Sequence, residues 1–394
     1  MVRKEEEHVV SRAAITTCVA LCLACACSSP SLAVTTLGGY GFIGSVDTMK
    51  LSKDQASSGF TSSDAQAVDL ASTMAVTHVT VDTPIEYPTV MLAWANRIHQ
   101  DGKHVWFRLA SIHGRGLQHA DASKTVSYQP PYDGYPNFGR GYLTKLHQLM
   151  LEYPGLVRAG DILDGDAEVE NSGWWKKNYG CGVQQPCTAC PEIAKMTAAH
   201  YPCAPVSELN RFLQVMTTQE NRDLASLGIT PCETITSSNC VLTQVHSTDA
   251  GTATEQLSKA TVQAMGNLIT VDAYPDQNTV EPSAAATAWV NSLQSWESAW
   301  LNKGVNVTIL VGEWGYSLKK EVSDATQEAV VKAEATKAFL GVPYLSGTNY
   351  WVGPGNPYDG GYTNIFSQNL NGVWKFRPAA SDVSAFYANM NSVR

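Results

Sequence analysis

From Leu37 to the end of the chain, short apolar runs alternate with longer stretches whose apolar residues recur at helical spacing. The runs read as strands over Leu37 to Ile43, His78 to Val81, His104 to Ala110, Ile162 to Glu168, Val241 to Val245, Leu268 to Ala273, Val307 to Val311 and Ser346 to Trp351. Helical patterns lie between them, over Tyr87 to His99, Gly141 to Tyr153, Ser207 to Leu227, Glu255 to Met265, Ala284 to Asn302 and Ala325 to Leu340, with a last one over Ala380 to Asn389. Eight strand–helix units in series predict an α/β fold, a (β/α)8 TIM barrel. An open doubly wound sheet is the competitor, but the count of eight and the length favour the barrel. No Gly-rich nucleotide fingerprint opens a helix; Gly38-Gly39-Tyr40-Gly41 falls inside the first strand run.

The chain has 394 residues, 44% of them hydrophobic, which suffices for one large core. No linker, low-complexity tract or second domain interrupts it. The expected organisation is an export signal over 1–33 and a barrel over 34–394, with an insertion from Ser172 to Pro205 after the fourth strand. The net charge of −9 excludes a basic nucleic-acid or lipid-binding face.

Arg12 precedes a small, apolar run from Ala13 to Ala26, too short and cysteine-rich for an ordinary membrane span. This predicts a secreted, periplasmic or cell-surface protein, cleaved after Ala26 or Ala33. A lipid anchor on Cys25 or Cys27 is the alternative. Glu5-Glu6-Glu7 is atypical of a signal's first region, so translation could start downstream. Beyond the leader stand Cys181, Cys187, Cys190, Cys203, Cys232 and Cys240. Export and the even count favour disulfides over zinc. Cys232 with Cys240 should close a short loop before the fifth strand, and the other four should form two bonds within the insertion. The sequon Asn306-Val307-Thr308 enters a strand expected to be buried and is discounted.

In a barrel of this kind, chemistry sits at the carboxyl ends of the strands. Those ends read Asp47, Asp82, Arg108 with His113, Asp166 to Glu170, His246, Asp272 with Tyr274, Glu313, and Asn349 with Trp351. Two glutamates stand out. Glu168 lies in Gly165-Asp-Ala-Glu-Val-Glu-Asn171, and Glu313 lies 145 residues later in Val311-Gly-Glu-Trp-Gly-Tyr316. Each follows a strand and precedes a polar, aromatic loop. Paired carboxylates at distant strand ends suit glycoside cleavage: one protonates the leaving oxygen while the other attacks the sugar carbon. Ten tryptophans and sixteen tyrosines would serve a sugar-binding groove, although most such rings pack in cores.

These segments resemble the clan A glycoside hydrolases, the superfamily of cellulases, mannanases and related β-glycosidases. The resemblance runs from about Leu37 to the end, mostly in the order of elements. Val311-Gly312-Glu313-Trp314-Gly315 is similar to the clan's seventh-strand segment, which implies that Glu313 is the nucleophile. Ala167-Glu168-Val169-Glu170 is similar to the fourth-strand Asn-Glu-Pro segment, which implies that Glu168 is the acid/base. Val271-Asp272-Ala273-Tyr274-Pro275 lies where the clan places an aromatic group or histidine near the nucleophile. Asn349-Tyr350-Trp351 lies where it places a tryptophan under the cleaved sugar. Two departures matter. Ala167 replaces the asparagine that contacts the sugar's 2-hydroxyl, and Glu170, two residues beyond Glu168, is an alternative acid. The second strand also lacks the clan's arginine. Arg108 could stand in for it, or pair within the barrel with Asp164 or Asp166.

The expected function is retaining hydrolysis of β-glycosidic bonds in an extracellular poly- or oligosaccharide. Glu168 and Glu313 are catalytic, and Tyr274, Trp351, Arg108, His246, Trp174, Asn349 and Asp47 are substrate-binding. A cation or tyrosine hydroxyl beside Glu313 would keep it ionised, and burial or the other glutamate's charge would keep the acid protonated. Trp174 and Trp175 would stack on sugars along the groove or pack on the disulfide loop. No metal or cofactor is expected, no nucleic-acid partner and no membrane span in the mature protein, which is expected to be a monomer. The alternative is a carbohydrate-binding TIM barrel without catalysis.

Overall fold

The computed structural model describes residues 41–85, 87–109, 142–165, 167, 206–232, 239–274, 281–316, 323–355 and 363–393. All belong to one compact unit, Thr35–Arg394. The first half contains β1 (Ile43–Asp47), α1 (Met49–Ser52), α2 (Ser62–Ser72), β2 (His78–Val81), α3 (Pro88–Gln100), β3 (His104–Leu109), α4 (Tyr142–Glu152), β4 (Ile162–Gly165) and α5 (Val206–Ser226). The second half contains β5 (Leu242–Val245), β6 (Ser247–Asp249), a π-helical turn (Thr252–Gln256), α6 (Lys259–Ala264), β7 (Leu268–Asp272), α7 (Pro282–Asn302), β8 (Thr308–Trp314), α8 (Asp324–Gly341) and β9 (Leu345–Tyr350). A hairpin of β10 (Phe366–Gln368) and β11 (Trp374–Phe376) leads into α9 (Ala379–Val393).

The nine strand segments β1 to β9 are all parallel, in the order β5-β4-β3-β2-β1-β9-β8-β7-β6. Only His246 separates β5 from β6. The two act as one stave, whose first half pairs with β4 and whose second half pairs with β7. That joint closes the sheet into an eight-stave (β/α)8 barrel.

Side chains sort by face. A floor of Ile43, Trp106, Ile162, Leu242, Val245, Leu268 and Leu310 fills one end of the barrel. The Cys232–Cys240 disulfide, with Cα atoms 5.0 Å apart, packs into this floor. The expected pairing is therefore present, and it plugs the barrel as well as closing its loop. Outside, a larger apolar layer joins strands to helices. There Trp289 of α7 stacks on Trp314 of β8 at 5.2 Å, with its Nε1 donating to Ala273 O at 2.9 Å. Trp94, Trp106, Trp289, Trp300 and Trp314 are all buried, so half of the ten tryptophans are packing groups.

Three expectations change. The first described strand is Ile43–Asp47, beginning where the expected run ended, and Leu37 to Tyr40 lie outside the described residues; its small and polar residues Ser45 and Asp47 point into a polar barrel interior, so hydropathy hides the strand. The helix expected over Glu255 to Met265 divides into the π turn and α6. Asn210 bonds both Gln256 O and Ser258 N, at 2.9 and 2.6 Å, and Ser258 caps α6 through Thr261 N. Asn306 is exposed immediately before β8, although its sequon partner Thr308 is buried. Three features were not expected at all: the β10–β11 hairpin, the short α1, and α2, which is held at its start by a reciprocal Thr61–Asp64 capping box. Cys181, Cys187, Cys190 and Cys203 lie outside the described residues.

Candidate active site

Glu313 stands at the carboxyl end of β8, and a bulge aims it. Leu310 belongs to the floor, while Ile309 and Val311 face the helices. Strict alternation would turn Gly312 inward and Glu313 outward. Instead Val271 pairs with Val311 and Asp272 with Glu313, leaving Gly312 as an extra residue. The bulge turns Glu313 into the barrel. It needs glycine: a Cβ on Gly312 would lie 2.5 Å from both Asp272 Oδ1 and Ser247 Oγ.

Two groups hold the Glu313 carboxylate. Arg108 Nη1 donates to Oε1, and the Tyr274 hydroxyl donates to Oε2 at 2.5 Å. Burial and the charges of Glu313 and Asp272 push the Tyr274 phenol well above its ordinary range, so it acts as a donor. Arg108, on β3, is 1% exposed and sits among five carboxyl groups. Besides Glu313 these are Asp272 at 3.3 Å, Asp164 at 3.7 Å, Asp47 at 3.8 Å and Asp82 at 3.9 Å. Burial works against the guanidinium charge, but Glu313, Asp272, Asp82 and Asp164 outweigh it and raise Arg108 well above its ordinary value. Both readings of Arg108 therefore hold together: it meets the candidate nucleophile and Asp164.

The remaining strand ends divide into two groups. Trp351, directly after β9, is half-buried and meets Tyr274 edge to face at 6.0 Å. Lys50 Nζ lies 5.7 Å over its ring. Asn349 and Asp47 are fully buried and bonded to each other. The Asn349 amide donates to Asp47 Oδ2 and to Gly312 O, both at 2.9 Å, and its carbonyl accepts from Thr80. These bonds use both amide hydrogens inside the protein, so Asn349 supports the site from below rather than presenting its amide to a sugar.

His246 is corrected. It sits at the β5–β6 joint and faces the helix layer, where Nε2 meets Thr217 Oγ1 of α5 at 2.8 Å and Nδ1 lies 3.4 Å from Gly165 O. Its burial lowers its pKa to about 4. It is a packing histidine, away from the Arg108 cluster. Glu168, Glu170, Trp174, Trp175, His113 and Asp166 lie outside the described residues; Ala167 is buried. Lys50 and Ser247, which donates twice to Asp164, were not anticipated. Lys50 follows the strand-end Asp47 by three residues and lies in α1, a helix not expected from the sequence.

Among the described residues, no group of three or more His, Cys, Asp and Glu is arranged to hold a metal, and no helix is long and apolar enough to cross a membrane.

No protein-family model matches the chain, and no curated protein sequence does. Solved structures do. An exo-β-1,4-mannosidase from Opitutaceae bacterium strain TAV5 superposes with a TM-score of 0.51 at 12% identity, covering 90% of this chain and 62% of its own. This chain thus spans less than two thirds of that enzyme. An endo-β-1,4-glucanase from Xanthomonas axonopodis pv. citri gives 0.50 at 10% identity, covering 89% and 99%. A family 5 xyloglucanase from Paenibacillus pabuli gives 0.51 at 11%, also covering 89% and 99%. At such identities the likeness establishes the fold alone, a (β/α)8 barrel.

Proposed function

We propose that this protein is a retaining β-glycosidase acting on a poly- or oligosaccharide outside the cell. The observation that carries the reading is the setting of Glu313: turned inward by a bulge and gripped by Arg108 and by Tyr274, whose ring meets Trp351. The β-glycosidases that share the fold support it. The cysteine-rich apolar leader supports export, with a lipid anchor as its variant.

The groups then take these roles. Glu313 attacks the anomeric carbon. Its charge is held in place by one guanidinium and one phenol, so little reorganisation accompanies attack. Glu168, which follows β4 in the sequence, protonates the departing oxygen and later activates water, with Glu170 as the alternative acid. Trp351 forms a wall of the cleavage subsite. Retaining pairs lie about 5–5.5 Å apart and inverting pairs about 6.5–9.5 Å.

The test is release of reducing sugar from a panel of β-glucans, mannans and xyloglucans, with product configuration followed by NMR. Retention is expected, and Glu313→Gln should lose most activity while keeping the fold. Azide should restore turnover of an activated substrate in Glu168→Gln, because that substrate needs no protonation. An inverted product, or binding of glycans without turnover by the wild-type chain, would replace this reading.

A further inference from the structure

Among the described residues, the barrel interior holds one guanidinium against five carboxyl groups, all within 4 Å of Arg108 nitrogens. Were all five ionised, four negative charges would stand uncompensated in a buried site, so protons must be bound there. The hydrogen bonds show which groups are provided for as anions. Asp164 accepts from Ser247 N, Ser247 Oγ and Trp106 Nε1. Glu313 accepts from Arg108 and Tyr274. Asp47 accepts from Met49 N at 2.7 Å and from the Asn349 amide. Asp82 is different. It is 2% exposed, its Oδ2 is buried without a partner, and its Oδ1 reaches Arg108 Nη1 only at 3.9 Å. A buried carboxyl oxygen with no donor is where a proton is held at least cost.

Asp82 also shares its nitrogen. Arg108 Nη1 bonds Glu313 and faces both Asp47 and Asp82. We propose that Asp47 and Asp82 are positioning residues, a carboxyl pair sharing one proton that balances the charge of Glu313 across Arg108. The surroundings agree. Asp47 on β1 is faced by Arg108 from β3, Asp82 from β2, Glu313 from β8 and Asn349 from β9. Asp82 is faced by Asp47, Arg108, Glu313 and by Lys53 after α1. Burial raises both carboxyls, Asp47 to about 6 and Asp82 well above its ordinary value; Arg108 opposes the rise and Glu313 adds to it in each.

One consequence rests on the glycosidase reading. In the first covalent step a Glu313 oxygen bonds the anomeric carbon, the bond to the leaving oxygen breaks, and that oxygen takes the acid's proton. Glu313 thereby loses its negative charge. The pair then binds its proton less tightly and releases it to solvent, and takes one back when water frees Glu313.

Carboxyl-13C aspartate NMR tests the pair without any turnover. Wild type should show one aspartate that remains protonated through neutral pH and is missing from Asp82→Asn. The Asp47 midpoint should fall by about one pH unit in Glu313→Gln, which removes a like charge. An Asp82 resonance titrating in the ordinary aspartate range would overturn the proposal, as would an Asp47 midpoint that Glu313→Gln does not move. Should Asp82→Asn fail to fold by circular dichroism, Asp47→Asn and Glu313→Gln carry the same comparison. A chain that cleaves no glycoside would sink the functional reading and leave this titration decisive. In an active chain, weakly buffered solution near pH 6 should show a proton burst on forming the glycosyl-enzyme, lost in Asp82→Asn.

Discussion

Removing the Tyr274 hydroxyl takes away one of the two direct partners of Glu313. A hydrogen bond to a charged group contributes roughly 1.5–3 kcal/mol. Tyr274→Phe should therefore lower kcat/KM by about 10–100-fold, while the melting temperature changes little because the ring still packs on Trp351. Steady-state kinetics beside a thermal melt decide this, and full activity would remove Tyr274 from the site. Trp351 is only half-buried, so Trp351→Ala should harm turnover far more than folding. A variant that unfolds while its residual native fraction turns over normally would make Trp351 a packing residue. These groups were legible in the sequence because a polar or aromatic residue closing an apolar run has few other reasons to be there. His246 met the same description and misled. Its position at a joint between two strand segments reverses its face, and no periodicity in five residues announces that.

The bulge at Gly312 is an element-scale device, and it makes a sharp prediction. Gly312→Ala forces a methyl to within 2.5 Å of Asp272 Oδ1 and Ser247 Oγ. Either those side chains move or the bulge relaxes, and both displace Arg108 or Glu313. Activity should drop about 100-fold, comparable to a misplacement of 1 Å at the reacting groups, with only a modest loss of stability. Wild-type kinetics in Gly312→Ala would show that the bulge does not aim Glu313. The Cys232–Cys240 bond acts at the opposite end of the barrel. Its short loop predicts about 2–3 kcal/mol, and Cys232→Ser with Cys240→Ser should lose about that much in denaturant unfolding while leaving kcat unchanged. Strand order was readable because outer-face residues such as Ile309 and Val311 are strongly apolar. Strand limits were not, since inward residues at the mouth, Ser45, Asp47 and Asn349, are polar. The helix α2 escaped for a related reason: its buried face is largely Ala67, Val68 and Ala71, too small for a clear helical stripe.

Across the whole molecule, ionisable groups are buried at both ends of the barrel, and they pull stability in opposite directions as pH falls. At the amino-terminal end His78 is fully buried. Its Nε2 faces Gly160 O at 3.0 Å, which fixes the proton on that nitrogen, and its Nδ1 faces Thr77 Oγ1 at 2.8 Å. Burial, with the neighbouring His104 adding, lowers its pKa to about 3. The unfolded chain therefore binds this proton first, below about pH 6.5, and the native state loses stability as pH falls from there to about 3. His246, lowered to about 4 by burial, acts in the same direction. Asp47, raised to about 6 chiefly by burial, does the reverse: its native form takes a proton that the unfolded chain refuses until about 3.8, so it adds stability as pH falls through that window and loses it as pH rises. The net slope of the wild type mixes these terms, and a single substitution separates them. His78→Gln keeps a donor for Gly160 O but cannot titrate. Urea unfolding at pH 6, 5 and 4 should show its stability falling less steeply than that of the wild type, by about 1.4 kcal/mol per pH unit, the linkage of one proton. Parallel slopes would mean that His78 takes up its proton within the folded barrel, and that the floor beneath the carboxyl groups around Arg108 admits water.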